Sequence, residues 1–255
     1  MARRIQLKRE LFGRGFYTPV EAARLLQIPS SKVRRWAAGY EFKDGRQLRF
    51  SEPIIRREIS DDAGFLELTF LDVIEMLFIK RFLSQGVTLH MIRLASRRAA
   101  DLYETTHPFC DKKFQTDGFT IFARLNDSSM AKRDAFSPTD ERLIDLKDGQ
   151  HVFNLIVSPY LRQFVYDPQT DVVGQWWPLG RERSVVVNPN LSFGTPVVRD
   201  YGVPTKVLAR AAKCGQKLDE VATWYQMPVE TVMDAVAFEH DLTARAIRPR
   251  QQSAS

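Results

Sequence analysis

Apolar residues recur along the first forty positions with the period of short helices. Thr18-Pro19-Val20-Glu21 marks a helix start: threonine is the cap, proline takes the first helical position, and Glu21 completes a capping box. The pattern predicts a helix over Pro19–Leu26 with Ala22, Ala23, Leu25 and Leu26 available for packing. Pro29 then disfavours the α region at Ile28, and Ser30 or Ser31 caps a second helix to about Ala38. Two helices across so short an interval have helix-turn-helix spacing. Gly39 ends the second helix, and Phe42–Leu48 reads as a hairpin turning at Asp44-Gly45 in type I′ geometry, which makes the unit winged.

The pattern further on is coarser. A third, very apolar helix is predicted after Thr69 through Val73, Ile74, Leu77, Phe78 and Phe82, ending before Gly86. A fourth, capped by Thr88, carries Leu89, Ile92, Ala95, Ala99, Leu102 and Tyr103 at helical spacing. Its other face holds Arg93, Arg97 and Arg98, read as a solvated face. From His107 the texture changes. Hairpins are predicted across Asp117-Gly118 (residues 114–122) and Asp148-Gly149 (143–152), with a short helix over 153–164 and strands near 165–166 and 185–187. Helices return at Thr205–Lys213, Leu218–Tyr225 and Pro228–Leu242, and the polar tail from Thr243 is expected to be disordered. The expected fold is mainly α with short antiparallel β. Its parts are a winged helix-turn-helix with a following helical pair (1–106), a β-hairpin-rich middle that serves for dimerisation (107–190), a second helix-turn-helix (191–242) and an arginine-containing tail (243–255).

The chain echoes itself. Glu21–Val33 aligns without gaps to Glu220–Val232, with identities at 21/220, 23/222, 27/226, 29/228 and 33/232, and Ile28 opposite Met227. The copies differ in charge: the first second-helix carries Lys32, Arg34 and Arg35, the other Glu230, Asp234 and Glu239. An acidic helix is repelled by DNA. The first copy is therefore the DNA-binding candidate, and the second an interaction or structural unit.

Charge supports this division. The 255-residue chain is 44% hydrophobic and 27% charged, an ordinary globular composition. Residues 1–60 hold fourteen Lys/Arg against six Asp/Glu, net +8, and the remaining 195 hold 23 against 25, net −2. Basic character concentrated in one quarter is the footprint of a polyanion partner. No apolar run spans a bilayer, the basic N-terminus lacks a following apolar segment, and Cys110 and Cys214 form no framework, so a reduced, cytoplasmic setting is expected.

A helical wheel assigns roles. At about 100° per residue, Val33, Trp36 and Ala37 face the core, Ser31 and Arg35 lie opposite, and Lys32 and Arg34 flank them. Arg35 is the expected base reader, because guanidinium bonds bidentately to guanine. Lys32 and Arg34 lie nearer phosphates, Lys43, Arg46 and Arg49 on the wing follow the backbone or minor groove, and the helix start at Thr18 offers unpaired N–H groups to a phosphate. Cys110, Cys214, His90, His107, His151 and His240 show no ligand spacing, and no cofactor or metal is expected. Without a phosphate loop, a His-Glu helix motif or a nucleophile elbow, an enzyme is not expected.

Tyr17–Leu26 followed by Val33-Arg34-Arg35-Trp36 resembles the opening of MerR-like winged helix-turn-helix proteins. Leu68–Val73 and Gly86–Arg93 resemble the helical pair that follows it there. The ending, with Phe193–Val198, Val203-Pro204-Thr205, Gly215 and the second helix-turn-helix, is similar to uncharacterised domains of bacterial antitoxins encoded beside PIN-like ribonucleases. Together they resemble long VapB-type antitoxins. The resemblance implies an operon repressor that neutralises a cognate ribonuclease toxin by direct binding. One helix-turn-helix makes too few base contacts for specificity, so a homodimer on a two-fold, double-stranded DNA operator is expected. Toxin contacts are expected from Arg245, Arg248 and Arg250, which can fork onto an active site's carboxylates, or from Trp224, Tyr225 and Met227. The chain departs from MerR regulators in lacking a long dimerising helix after His107-Pro108. The alternative is a ligand-responsive regulator with 107–190 as sensor, its pocket lined by Phe153, Tyr166, Trp176 and Trp177.

Overall fold

The structure, a computed structural model, describes residues 13–59, 65–118, 120–121 and 162–246. The hairpin expected over 143–152, most of the helix expected over 153–164, Phe153 and residues beyond Ala246 lie outside them. The described chain is α+β: helices with short antiparallel strand pairs. It divides into two compact units that interleave along the sequence. The first comprises Met1–Arg34, Asp61–Phe70 and Gly174–Ser255; the second comprises Arg35–Ser60 and Leu71–Val173.

In the first unit, α1 (Pro19–Leu26) starts from the expected capping box: Glu21 N–H donates to Thr18 Oγ1 at 3.2 Å, and Thr18 N–H to Glu21 Oε2 at 2.9 Å. Gln27 then takes the left-handed conformation, φ 52°. Gln27 N–H donates to Arg24 O and Ile28 N–H to Ala23 O, which together close the helix as a Schellman motif. The second copy repeats this bond for bond: Gln226 is left-handed at φ 52°, its N–H donates to Thr223 O, and Met227 N–H donates to Ala222 O. The next turns also correspond, Lys32 N–H to Pro29 O and Thr231 N–H to Pro228 O. The echo in the sequence is therefore a repeated backbone structure.

Three helices form the C-terminal part of this unit: α5 (Thr205–Lys213), α6 (Leu218–Trp224) and α7 (Val229–Ala246). Helix α7 extends four residues beyond the expected end at Leu242. Val198, Leu208, Val221, Ala222, Met227, Val232 and Ala235 make their common core. The strands β5 (Val185–Val186) and β6 (Val197–Val198) pair antiparallel beside it and pack on α7. The residues before α1 belong to the same unit. Tyr17 and Leu68 exchange backbone hydrogen bonds, Phe16 N–H donates to Phe193 O, and the buried Tyr17 hydroxyl donates to Gly194 O at 2.6 Å. Gly194 is obligatory there, since a Cβ would lie 2.3 Å from that hydroxyl.

The second unit holds the last four residues of α2 (Ser30–Ala38), the wing strands β1 (Tyr40–Asp44) and β2 (Gln47–Ser51), nearly all of α3 (Phe70–Ser84), α4 (Leu89–Tyr103) and β3 (Phe164–Tyr166). The wing turns through Gly45 and Arg46, and only Gly45 has positive φ. That is the type II′ arrangement with glycine first, not the expected type I′. Gly39 is required at the wing's root, because a Cβ would meet Ser51 O at 2.5 Å and the Phe50 ring at 2.6 Å. Thr88 caps α4 as expected, accepting from Met91 N–H. Leu102, expected on its apolar face, is exposed.

The hairpin expected over 114–122 is not formed: residues 113–118 are helical. The reason is packing. Phe114 joins Phe78, Phe82, Phe109 and Phe164 in an aromatic cluster, its ring centroid 4.7 Å from that of Phe109. Burial of that ring outweighs the turn preference of Asp117-Gly118. The strand expected near 165–166 appears as β3 and that near 185–187 as β5; β4 (Val173–Trp176), which follows a turn in which Asp167 N–H donates to Val172 O, was not expected.

Candidate nucleic-acid interface

Helix α2 presents the pattern read from its wheel. Val33, Trp36 and Ala37 are buried, and Ser31, Lys32, Arg34 and Arg35 are exposed. The helix is closed within the second unit by the chain that follows the wing. Trp36 O accepts from Ile54 N–H at 2.9 Å, and Ala37 O from Arg57 Nε at 3.1 Å. Carbonyls orphaned at a helix end are thereby satisfied, so α2 ends firmly.

The Arg35 guanidinium lies 5.0 Å from the centroid of the Tyr40 ring. Such stacking holds the fork in one orientation while leaving its edge N–H groups to bond elsewhere. Tyr40 precedes the hairpin read from the sequence at Phe42–Leu48, and nothing local marks it as a partner for Arg35. The wing is exposed on both faces from Glu41 to Phe50, which includes Lys43, Arg46 and Arg49. Arg49 pairs with Asp44 at 3.0 Å, so part of its charge is already answered.

Two arginines read as a solvated face have another use. Arg93 donates to Ser51 Oγ at 2.9 Å and Glu52 O at 2.8 Å, and Arg97 pairs with Glu52 at 2.7 Å. Their spacing of four residues places both on one face of α4, where they brace the base of the wing.

The phosphate site expected at Thr18 has few backbone donors left. Its own N–H and that of Glu21 are spent in the capping box, Pro19 has none, and the Glu21 carboxylate sits there. Thr18 is a helix cap, with an anion already beside it.

The second copy spends its charges inward. Asp234 accepts from Ser184 N–H at 2.8 Å and pairs with Arg183 at 2.7 Å; Glu239 pairs with Arg24 and accepts from Thr205 Oγ1 at 2.6 Å. Both are buried. Acidic repulsion from an open face therefore accounts poorly for this helix, since only Glu230 of the three acids is exposed. Instead α7 is occupied by packing on α1, β5 and β6. Asp234 aligns with Arg35, so one position of the repeat is outward and cationic in the first copy and inward and anionic in the second.

Of the residues expected to touch a toxin, Trp224 is 62% exposed and Tyr225 half-buried. Met227 is 7% exposed and belongs to the helical core, so it offers no docking surface. Arg245 lies at the end of α7, where only its backbone is described, and Arg248 and Arg250 lie outside the described residues.

A separate polar cluster is buried in the second unit. Asp72 and Glu75 project from one face of α3. Asp72 bonds His107 Nε2 at 2.8 Å, and Glu75 accepts from Phe109 N–H at 3.1 Å and from the Cys110 thiol. Burial pushes the Glu75 carboxyl up to about 8. Burial alone would lower His107, but Asp72, Glu75 and Glu58 raise it above its ordinary value. Burial and the Glu75 carboxyl raise the Cys110 thiol as well. Among the described residues, no group of three or more His, Cys, Asp or Glu is arranged to hold a metal, and no helix is long and apolar enough to cross a membrane.

Known proteins match in the same two places. Residues 15–96 match a family described as "Putative DNA-binding HTH domain", and residues 185–238 match a protein family of unknown function, DUF433. Across 224 residues the chain is 26% identical to "Putative antitoxin VapB45" of Mycobacterium tuberculosis, covering 86% of this chain and 92% of the relative. The crystal structure of Rv2018 from Mycobacterium tuberculosis shares its fold, with a TM-score of 0.66 at 23% identity over 88% of this chain and 98% of that one. These likenesses support a resemblance to long VapB-like antitoxins with an N-terminal helix-turn-helix.

Proposed function

We propose that this chain is a DNA-binding antitoxin, a regulatory protein and not an enzyme. The observation that carries the reading is α2: its outward positions bear Ser31, Lys32, Arg34 and Arg35, while Val33, Trp36 and Ala37 are buried. An exposed basic helix followed directly by an exposed basic hairpin suits a major groove with flanking phosphates. Likeness to an antitoxin over most of both chains supplies the biological class.

In this reading Arg35 reads a base from its seat on Tyr40. Lys32, Arg34, Lys43 and Arg46 meet phosphates, and Arg49 does so in competition with Asp44. The protein represses its own operon as a homodimer on a two-fold operator. Its toxin is a PIN-like ribonuclease, bound through the arginines at and beyond the end of α7 (Arg245, Arg248 and Arg250) or through the Trp224–Tyr225 surface. A carboxylate-lined nuclease site attracts guanidinium, which supports the first choice.

Two measurements test this. Gel shifts with DNA from upstream of its own gene are expected to show a specific complex that competitor DNA of random sequence does not displace. Co-expression with the adjacent gene is expected to yield one peak on size exclusion, with ribonuclease activity silenced. Absence of any preference for the upstream DNA would remove the repressor role, and separate peaks would remove the antitoxin role.

A further inference from the structure

Helix α1 is held at both ends by residues from the far end of the chain. Before its start, Tyr17 is fixed to Gly194 and Phe16 to Phe193. At its last turn the Arg24 guanidinium bonds Glu239 Oε2. The other oxygen of that carboxylate accepts from Thr205 Oγ1 at 2.6 Å. Thr205 opens α5, whose preceding Pro204 has no side-chain oxygen to cap it, so Glu239 puts its negative charge at an uncapped helix start. One carboxylate, 4% exposed, thus joins α1, α5 and α7. A buried charge of this kind is tolerated only when fully answered, and here both oxygens are.

The turn Gln27–Pro29 and the first five residues of α2, with Lys32 and Arg34, belong to the same compact unit as α1 and Glu239. Glu239 lies some two hundred positions later in the chain. We propose that Glu239 is a positioning residue for DNA recognition: through Arg24 it fixes α1, and with it the turn and the start of α2. The C-terminal helical module is then part of the reading head and not a separate attachment. The proposal rests on the DNA-binding reading above and adds to it a determinant outside the helix-turn-helix.

The test uses the full chain and three variants: Glu239→Gln, Arg24→Gln, and the exchanged pair Arg24→Glu with Glu239→Arg. Affinity for the upstream DNA and for random-sequence DNA is measured well below the melting temperature. Hydrogen exchange is followed in peptides covering 19–28 and 40–51. Either single variant is expected to weaken binding to the upstream DNA about ten-fold, with a smaller change on random DNA. Exchange should quicken in 19–28 and not in the wing, and the exchanged pair should recover part of both losses. A merely structural role would lower the melting temperature and leave the ratio of specific to random binding in place, which overturns the proposal. Wild-type affinity in the single variants also overturns it, while leaving the DNA-binding reading intact. Failure of the wild-type chain to bind the upstream DNA removes both.

Discussion

Gln27 and Gln226 each close a helix in the left-handed conformation, which costs an L-residue with a Cβ about 1 kcal/mol relative to glycine. Both positions carry the full pair of Schellman hydrogen bonds, so the strain is held by the motif. Gln226→Gly is therefore expected to stabilise the protein by about 0.5–1 kcal/mol in denaturant titration. A loss of stability would mean that the glutamine side chain has a role beyond its backbone. In the proposed reading, sequence preference depends on Arg35. With its guanidinium seated on Tyr40, Arg35→Ala is expected to weaken specific DNA binding by about 1–3 kcal/mol and relax selectivity at one base. Lys32→Ala is expected to lower affinity on all sequences and reduce the salt slope by about one unit. Gel shifts across a salt series separate the two. An Arg35→Ala protein with unchanged preference would reassign the base contact.

At the scale of elements, the wing and α3 owe their order to side chains that a local reading leaves idle. Arg93 bonds two groups at the base of β2, one of them a backbone carbonyl, whereas Arg97 makes an exposed ion pair with Glu52. Exposed pairs contribute about 0–1 kcal/mol, so Arg97→Ala should change little, while Arg93→Ala should quicken amide exchange in residues 40–51 and weaken DNA binding. Helix α3 carries the buried cluster, which makes stability depend on pH. Glu75 in the folded chain titrates near 8, above its ordinary 4.5. Its stabilising contribution is therefore full at low pH and is lost as pH rises from 4.5 to about 8. His107 is also raised, so its contribution likewise fades once pH passes 6.5. Both act in the same direction: resistance to denaturant should fall between pH 5.5 and 8.5. Glu75→Gln should flatten that fall, since the amide has no proton to lose, and an equally steep fall in the variant would assign the effect elsewhere.

At the scale of the molecule, one basic helix and one wing make few base contacts, and the second copy's helix is occupied by packing on α1 and the β5–β6 pair. We therefore propose a two-fold operator bound by a homodimer, with half-sites about 34–36 Å apart. Footprinting that protects two such segments, together with a dimeric mass in light scattering, is expected. A single protected segment from a monomer would count against it. The inhibitory segment can be located by cutting after Ala246, where α7 ends. If Arg248 and Arg250 carry inhibition, the shortened chain loses the toxin complex but keeps DNA binding. Retention of a silenced complex would place the toxin on the Trp224 surface.

Features that depend on near neighbours are legible in the amino-acid order alone. Thr18, Pro19 and Glu21 fix a helix start within four residues; Gln27-Ile28-Pro29 fixes a stop; Val33, Trp36 and Ala37 fix which face of α2 is inward, and so which cations point out. Those signals are local because caps, turns and helical period act over a few residues. The internal echo was legible for the same reason, since two copies of one turn need the same small, apolar and proline positions. The tertiary structure decided everything that depends on what a side chain meets. A carboxylate in a sequence carries no mark of its partner, so Asp234 and Glu239 read as an acidic surface, and only the fold brings Arg183 and Arg24 to them. Asp117-Gly118 reads as a turn until the Phe114 ring finds its aromatic cluster. The pairing of Tyr17 with Gly194 joins residues 177 positions apart. No periodicity reports such a contact, because it is chosen by the free energy of the assembled core and not by the propensities of either segment.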